Sequence, residues 1–232
     1  MISVELEKNL GDYMEPIWAL LSEREQEVLR AHVSAKQFQR NELIYREGDR
    51  SEYLMCVVSG RVKIYKEGIC GRNQIMRLIN PTQYFGYRAY FAGEPYVTEA
   101  AAFEPATVLY VPVEVIVTLI HNNSRLAFFF IRELATDLGA SDERTVSLTQ
   151  KHIRGRLAET LVFLIDKYGY ENDGATLNIY LAREDIASLS NMTTSNAIRT
   201  LSSFCREQII ESDGRKIKIL DEKLLRQIDK VG

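Results

Sequence analysis

The sequence predicts an α+β protein with three parts in order: a small antiparallel β-barrel or jelly roll, a long helix, and a winged helix-turn-helix. Three observations lead to this prediction. Apolar residues alternate at a period of two in the first half and recur every four residues in the middle; two short helices and a hairpin follow. We expect the parts to occupy residues 1–121, 122–149 and 150–232.

The composition is typical of a globular protein with enough core for two domains. The chain has 232 residues, of which 46% are hydrophobic and 26% charged. The cysteines form no C-x-x-C pair, which argues against a disulfide framework or a cysteine-bound cluster; they are Cys56, Cys70 and Cys205. The N-terminus lacks a basic region followed by an apolar run, and no long apolar stretch follows. We expect a cytoplasmic protein with no membrane partner.

The first part begins with helices and continues as short strands. Residues up to about Ser34 are predicted to be helical, and Ser22 with Glu25 forms a capping box. Turn signals such as Ser59-Gly60 and Asn80-Pro81 then separate short apolar runs, which is typical of a barrel or jelly roll. The predicted strands are Leu43–Tyr45, Tyr53–Val58, Val62–Tyr65, Gln74–Ile79, Val97–Phe103 and Val108–Val111.

A short helix over Val113–Ile120 leads into one long helix from Ser124 to about Leu148. Its apolar residues recur every four positions. One interpretation is packing against its own barrel only; the length and the apolar stripe favour a dimer interface with a second copy. The predicted interface residues are Leu126, Phe130, Leu134 and Leu138.

The third part starts with a helix over Ile153–Tyr168 and an alternating strand through Leu177, Ile179 and Leu181. A helix from Arg183 then ends at Ser190-Asn191, where Asn tolerates the left-handed conformation of a tight turn. Met192 returns to the core and Thr193 is a good N-cap for a second helix.

That second helix has one apolar and one polar face, as in a helix-turn-helix that enters the major groove. The apolar residues are Ala197, Ile198, Leu201, Phe204 and Cys205. The polar residues are Thr194, Ser195, Asn196 and Arg199.

A hairpin signal at Asp213-Gly214 follows, and its strands, Gln208–Ile210 and Lys216–Leu220, form a wing with cations at Arg215, Lys216 and Lys218. The alternative is an ordinary helical hairpin, but the wing favours DNA binding. The net charge of −3 does not indicate a nonspecific nucleic-acid binder, and the chain from Lys151 onward has only 13 Lys and Arg against 12 Asp and Glu. DNA affinity must therefore come from locally placed cations and from two copies acting together.

Barrel, long helix and winged helix-turn-helix in this order resemble the cyclic-AMP receptor protein/fumarate–nitrate reduction regulator (Crp/Fnr) superfamily of bacterial transcription factors. The residues that carry the resemblance are Glu47-Gly48-Asp49, Val58–Tyr65, Phe85-Gly86, Gly93-Glu94-Pro95 and residues 183–201. The resemblance implies a cyclic-nucleotide-binding-type jelly roll, a dimerisation helix, and a homodimer that binds a palindromic operator in double-stranded DNA. It also implies RNA polymerase as a partner and a small-molecule effector that this sequence does not identify.

Carried over by position, Thr194, Ser195 and Arg199 fall where the family reads base edges, and Asn196 is their neighbour. Arg199 suits the O6/N7 edge of guanine, and Thr193 suits a phosphate. Many relatives place Arg and Glu where this chain has Thr194 and Ser195, so the family's better-known half-site cannot be assumed.

The expected effector pocket comprises Gly86, Tyr87, Arg88, Tyr96, Val97 and Thr98. Cyclic-nucleotide-binding members place a Glu where this chain has Tyr87 and an Arg near Tyr96 or Val97. A buried phosphate without a cation is costly, and strand alternation would turn Arg88 away, which argues against cyclic AMP. Another effector, or a pocket filled by its own side chains, remains open.

Other cofactors and function classes have less support. The N-terminal cysteine cluster of the iron–sulfur members is absent, and no constellation of His32, His121 and His152 suggests haem or another metal. The barrel sequence lacks the clustered histidines of a metal oxygenase, and no catalytic triad or P-loop is present, so we expect no enzyme and no catalytic residue. A ligand-binding barrel without DNA binding is the alternative function.

Overall fold

The computed structural model describes residues 9–68 and 71–232, and Cys70 lies outside the described residues. Backbone contacts divide the chain into two units. The first takes in the described residues up to Glu67 together with Ile75–Leu138, and the second contains the described part of 68–74 together with Gly139–Gly232. In the described ranges no helix is both long enough and apolar enough to span a bilayer.

The N-terminal helices cover the outer face of the barrel. Their bounds are α1 Leu10–Tyr13, α2 Glu15–Trp18 and α3 Glu23–His32. The predicted capping box is confirmed: the Ser22 backbone N–H donates to the Glu25 carboxylate over 2.8 Å, and the Ser22 side chain accepts from the third backbone N–H of the helix. These contacts satisfy two backbone donors at the start of α3.

The barrel is a jelly roll of two four-stranded antiparallel sheets. The strands are β1 Ser34–Phe38, β2 Leu43–Tyr45, β3 Tyr53–Ser59, β4 Val62–Glu67, β5 Asn73–Ile79, β6 Tyr84–Phe85, β7 Glu99–Ala102 and β8 Ala106–Pro112. One sheet has the order β1-β8-β3-β6 and the other β2-β7-β4-β5. The six strands predicted from the sequence are present, while β1 and the two-residue β6 were not predicted.

Both faces of β3 and β8 are largely buried, because these two strands alternate between two apolar clusters. In β3, Met55 and Val57 point into the barrel, whereas Leu54 and Cys56 point outward against the helices. The outer cluster includes residues of α1, α2 and α3. The strands therefore have apolar residues on both faces, which the sequence displays as near-continuous apolar runs.

The segment after Gly86 forms a short helix, α4 (Tyr87–Ala92), rather than the strand predicted around Arg88. Gly86 begins this helix with a φ of +90°, and a Cβ at this position would lie 2.4 Å from the Met55 methyl carbon. Only glycine combines this backbone conformation with so close an approach to β3.

The long helix, α6 (Ser124–Gln150), follows α5 (Val113–Asn122) and runs from the first unit into the second. Leu126 and Phe130 are 0% and 3% exposed, and Leu134 packs partly against the same outer cluster. In the single chain these three residues therefore pack against their own barrel, and their place at a dimer interface stays a prediction. Leu134 is half-buried, and Leu138, 63% exposed, is the most exposed of the four.

The second unit is a helical domain with a two-stranded wing. Its elements are α7 Ile153–Tyr168, α8 Arg183–Leu189, α9 Thr194–Arg206, β9 Ile210–Asp213, β10 Lys216–Ile219 and α10 Glu222–Val231. The alternating segment Leu177–Leu181 is buried at its apolar positions but forms only isolated bridges, so the predicted strand is wrong. Helix α10, which packs on α7, was not predicted.

A glycine pair tests how closely the barrel loops pack. Gly60 has a φ of +72°, and a Cβ there would lie 2.1 Å from the Pro105 carbonyl oxygen, whereas Gly48 has a φ of +89° and open space. We expect Gly48→Ala to cost about 1–2 kcal/mol for its backbone conformation alone, and Gly60→Ala about 1–3 kcal/mol more. Thermal unfolding of both variants measures the difference; equal losses would contradict the close contact.

Candidate nucleic-acid interface and sensor pocket

The turn between α8 and α9 has the conformation that its residues favour. Asn191 adopts a φ of +47°, Met192 is buried, and the Thr193 hydroxyl accepts from the Asn196 backbone N–H over 3.2 Å. The left-handed residue reverses the chain, the methionine anchors it, and the threonine caps the next helix. The turn, the anchor and the cap are therefore all confirmed.

Two residues of helix α7 stabilise this turn through hydrogen bonds. The Arg156 guanidinium donates to the carbonyls of Ser190 and Asn191 over 3.2 and 3.3 Å, and the buried Ser190 hydroxyl donates to Thr160 over 2.9 Å. These bonds satisfy carbonyls at the end of α8. Arg156 is a structural residue of the site that the sequence analysis missed, because its partners are more than thirty residues away.

Helix α9 presents an exposed stripe to solvent. The stripe consists of Ser195, Ile198, Arg199, Ser202 and Arg206. Ile198 was predicted on the apolar face, but its side chain is 46% exposed, while Ala197, Leu201 and Phe204 form the buried face. Cys205 is half-buried at the margin. Thr194 and Asn196 are also half-buried and flank the stripe.

Arg199 is held in place by its neighbour on the helix. Its Nη2 donates to the Asn196 side-chain oxygen over 2.5 Å, one turn back along α9. An Arg side chain has several rotatable bonds, and this hydrogen bond limits the positions that the guanidinium can take. The other guanidinium N–H groups remain available to donate to two acceptors in one plane. The helix thus carries an exposed, oriented donor group of the kind that matches a guanine edge.

The wing is a tight hairpin with one apolar and one cationic face. β9 and β10 pair antiparallel with Lys216 opposite Asp213, and β9 begins at Ile210, where the predicted strand was expected to end. The buried face consists of Ile217 and Ile219, and the exposed cations are Arg215, Lys216 and Lys218. The alternation predicted for β10 is therefore confirmed.

One of these wing cations has an acidic neighbour. The Lys216 ammonium lies 3.6 Å from a Glu171 carboxylate oxygen and 5.1 Å from the centroid of the Tyr180 ring. Glu171 therefore partly neutralises Lys216, whose side chain remains exposed beside Arg215 and Lys218.

A second ion pair joins α7 to the C-terminal end of α9. Arg154 donates to both carboxylate oxygens of Glu207 at the end of α9, and its guanidinium lies 4.7 Å from the Phe204 ring centroid. The hydrogen bonds from Arg154 and from the Ser203 hydroxyl lower the pKa of Glu207 to about 2. Glu207 is therefore charged at neutral pH and holds Arg154 against the helix end.

In the barrel, two of the predicted pocket residues pack in different apolar clusters, Tyr87 in the outer one and Tyr96 in the inner one. Tyr87 is buried against Phe91 and Phe130, with ring centroids 6.1 and 5.1 Å away, and its hydroxyl has no hydrogen-bond partner among the described residues. Arg88 is exposed and pairs with Glu94 over 2.7 Å. It points away as predicted, but because of its position on α4 rather than strand alternation.

Three further predicted pocket residues directly precede β7. Tyr96 is buried and stacks on Tyr45 at a centroid distance of 3.7 Å, Val97 is exposed, and Thr98 hydrogen-bonds the Tyr45 side chain. Burial raises the pKa of Tyr45 to about 12 and also raises that of Tyr96. Both phenols are therefore neutral, and no Arg or Lys is fully buried in the described part of the chain.

Comparison with known proteins identifies both units. Residues 35–123 match the model of the cyclic nucleotide-binding domain, and residues 155–228 match that of the Crp-like helix-turn-helix domain. The chain belongs to the Crp/Fnr superfamily of transcription regulators. The superfamily consists of DNA-binding regulators rather than enzymes, in agreement with the prediction from the sequence.

Relatives of this Crp/Fnr regulator cover most of its length. Nitrogen fixation regulation protein FixK of Azorhizobium caulinodans is 28% identical over 212 residues, 90% of this chain and 84% of the relative. A CRP-like cAMP-activated global transcriptional regulator of Mycobacterium tuberculosis is 24% identical over 192 residues, 82% of this chain and 86% of that protein. The structure of FixK2 from Bradyrhizobium japonicum has the same fold, with a TM-score of 0.75 at 23% identity over 85% of this chain and 97% of that one.

Proposed function

We propose that this Crp/Fnr regulator is a cytoplasmic homodimer that reads a palindromic operator through α9. The observation that carries the proposal is the Thr193-capped recognition helix, with Arg199 oriented by Asn196 and exposed beside a cationic wing. Thr194 and Ser195 lie near the exposed helix N-terminus, where base edges and a phosphate are within reach in the usual docking of such helices. Arg215, Lys216 and Lys218 supply further phosphate contacts.

The dimer interface that we propose lies on the solvent face of α6. Phe128, Ile131 and Leu138 are 67%, 59% and 63% exposed, and Ala135 lies between them. Their spacings of three, four and three residues follow the heptad pattern of a two-helix seam. This stripe lies opposite the side of α6 that packs on the barrel. A second copy fits it because two identical heptad stripes are complementary to each other.

We propose that the barrel does not bind cyclic AMP as the cyclic-nucleotide-binding members do. A relative is named as cAMP-activated, but here the residue expected to face the phosphate is the neutral, buried Tyr96, stacked on Tyr45. A desolvated phosphate without a cation is costly. The stacked tyrosines instead support a pocket filled by its own side chains, with any effector acting elsewhere or after displacing them.

The proposed regulation is a shift between two arrangements of the paired helices. A change in how the two copies of α6 pair near Ser141–Leu148 would alter the spacing of the recognition helices, which must lie about one DNA turn apart to bind together. RNA polymerase is the partner through which a bound dimer acts on transcription.

Selection from a randomised duplex library by the purified full chain tests the proposal, at moderate and high salt and with or without cyclic AMP. We expect an inverted repeat, recovered equally well with and without the nucleotide. Sequence-blind, salt-sensitive binding in every condition would favour the alternative, a ligand-binding barrel without specific DNA binding. A repeat recovered only with cyclic AMP would refute the proposed pocket and leave the proposed DNA reading intact.

A further inference from the structure

Ile198 is an apolar side chain on the exposed face of the recognition helix. It is 46% exposed and lies in the same stripe as Ser195, Arg199 and Ser202. Successive residues of an α-helix are rotated by about 100° and separated by about 1.5 Å along the helix axis. Ile198 and Arg199 therefore lie at opposite margins of this stripe but at nearly the same position along the axis. A duplex that Arg199 contacts therefore also meets the Ile198 side chain.

The chemistry of Ile198 restricts what it can contact favourably. Its branched hydrocarbon has no hydrogen-bonding group, so pressing it against the donors and acceptors of guanine, cytosine or adenine would desolvate them without replacement. The major groove exposes one apolar group on the base edges, the C5-methyl of thymine. Contact with this methyl removes apolar surface of both partners from water.

We propose that Ile198 is a specificity-determining residue that selects a thymine by its C5-methyl group, next to the base pair that Arg199 reads. This inference rests on the proposed function, because it needs α9 in the major groove. It deepens that proposal by assigning an apolar contact to a position that the apolar pattern of the sequence had placed in the core. The operator half-site then contains a thymine close to a guanine.

The test uses the operator recovered by selection and replaces each thymine of the half-site in turn with deoxyuridine, symmetrically in both half-sites. Deoxyuridine lacks the methyl group and leaves base pairing unchanged. At one position we expect the wild-type chain to lose about fourfold in affinity per half-site, the equivalent of one buried methyl group, and about fifteenfold for the dimer. Ile198→Ala is expected to bind the thymine and deoxyuridine duplexes equally at that position.

Two control variants separate this contact from a general change in α9. Ser202→Ala, on the same stripe, is expected to keep the full discrimination between thymine and deoxyuridine, and Ile198→Val is expected to keep most of it. Thermal unfolding confirms that each variant folds. Indifference of the wild-type chain to every replacement, or undiminished discrimination by Ile198→Ala, would overturn the inference alone. Failure to recover any inverted repeat would overturn the proposed function and this inference with it.

Discussion

Replacing Arg199 with alanine is expected to lower operator affinity by about 2–6 kcal/mol, since a bidentate contact contributes about 1–3 kcal/mol in each of two half-sites. The variant loses the one exposed guanidinium that Asn196 orients on the reading face. Its preference at one base position in each half-site should relax, while its nonspecific binding changes little. Titration of the operator and of duplexes substituted at each position measures both effects.

Arg206→Ala is the matched control, because it removes the same charge from an exposed position on the same helix. If Arg206 contacts only the phosphate backbone, its loss weakens binding to all sequences equally. The slope of the logarithm of affinity against the logarithm of salt concentration then falls by about one. Arg199→Lys keeps the charge without the planar fork and should still lose base preference. If Arg199→Ala bound every duplex as the wild-type chain does, the assignment of α9 as the recognition helix would be wrong.

The helix-turn-helix could be predicted closely because local chemistry determines it. Asn191 in the left-handed region, Met192 in the core and Thr193 at the cap each satisfy a requirement of the turn within a few residues. The strands of the barrel were also predictable, because turn residues separate short apolar runs. Helix α10 and the exact contacts of Arg156 depend on packing between distant segments, which residue spacing does not reveal.

Helix geometry explains why Ile198 is exposed and why the apolar stripe predicted on α6 is mostly buried. At about 100° per residue, Ile198 lies roughly 90° from the centre of the face formed by Ala197, Leu201 and Phe204, so apolar character alone did not determine its side. On α6, residues four apart rotate by about 40° at each step, which places Leu138 roughly 120° from Leu126. A stripe with this spacing begins on the barrel side and ends on the solvent side, as the burial of its members indicates.

The position that we propose for the interface leads to the second large effect. Ile131→Glu is expected to weaken dimerisation at least about 100-fold, or ~3 kcal/mol, because two carboxylates would have to lose water in an apolar seam without a partner cation. Ile131 is 59% exposed in the single chain, so the substitution should leave the fold of the protomer unchanged. Sedimentation across a concentration series measures the monomer–dimer equilibrium, and operator binding should weaken in parallel because a monomer contacts one half-site.

Thr136→Glu provides the control for added charge on the same helix. Thr136 is exposed but lies roughly 130° around the helix from the centre of the stripe of Phe128, Ile131 and Leu138. This variant should remain dimeric and bind the operator as the wild-type chain does. A dimer that survived Ile131→Glu but dissociated with Thr136→Glu would place the seam on the other side of α6. A dimer unaffected by either charge would mean that the two copies meet through a surface other than α6.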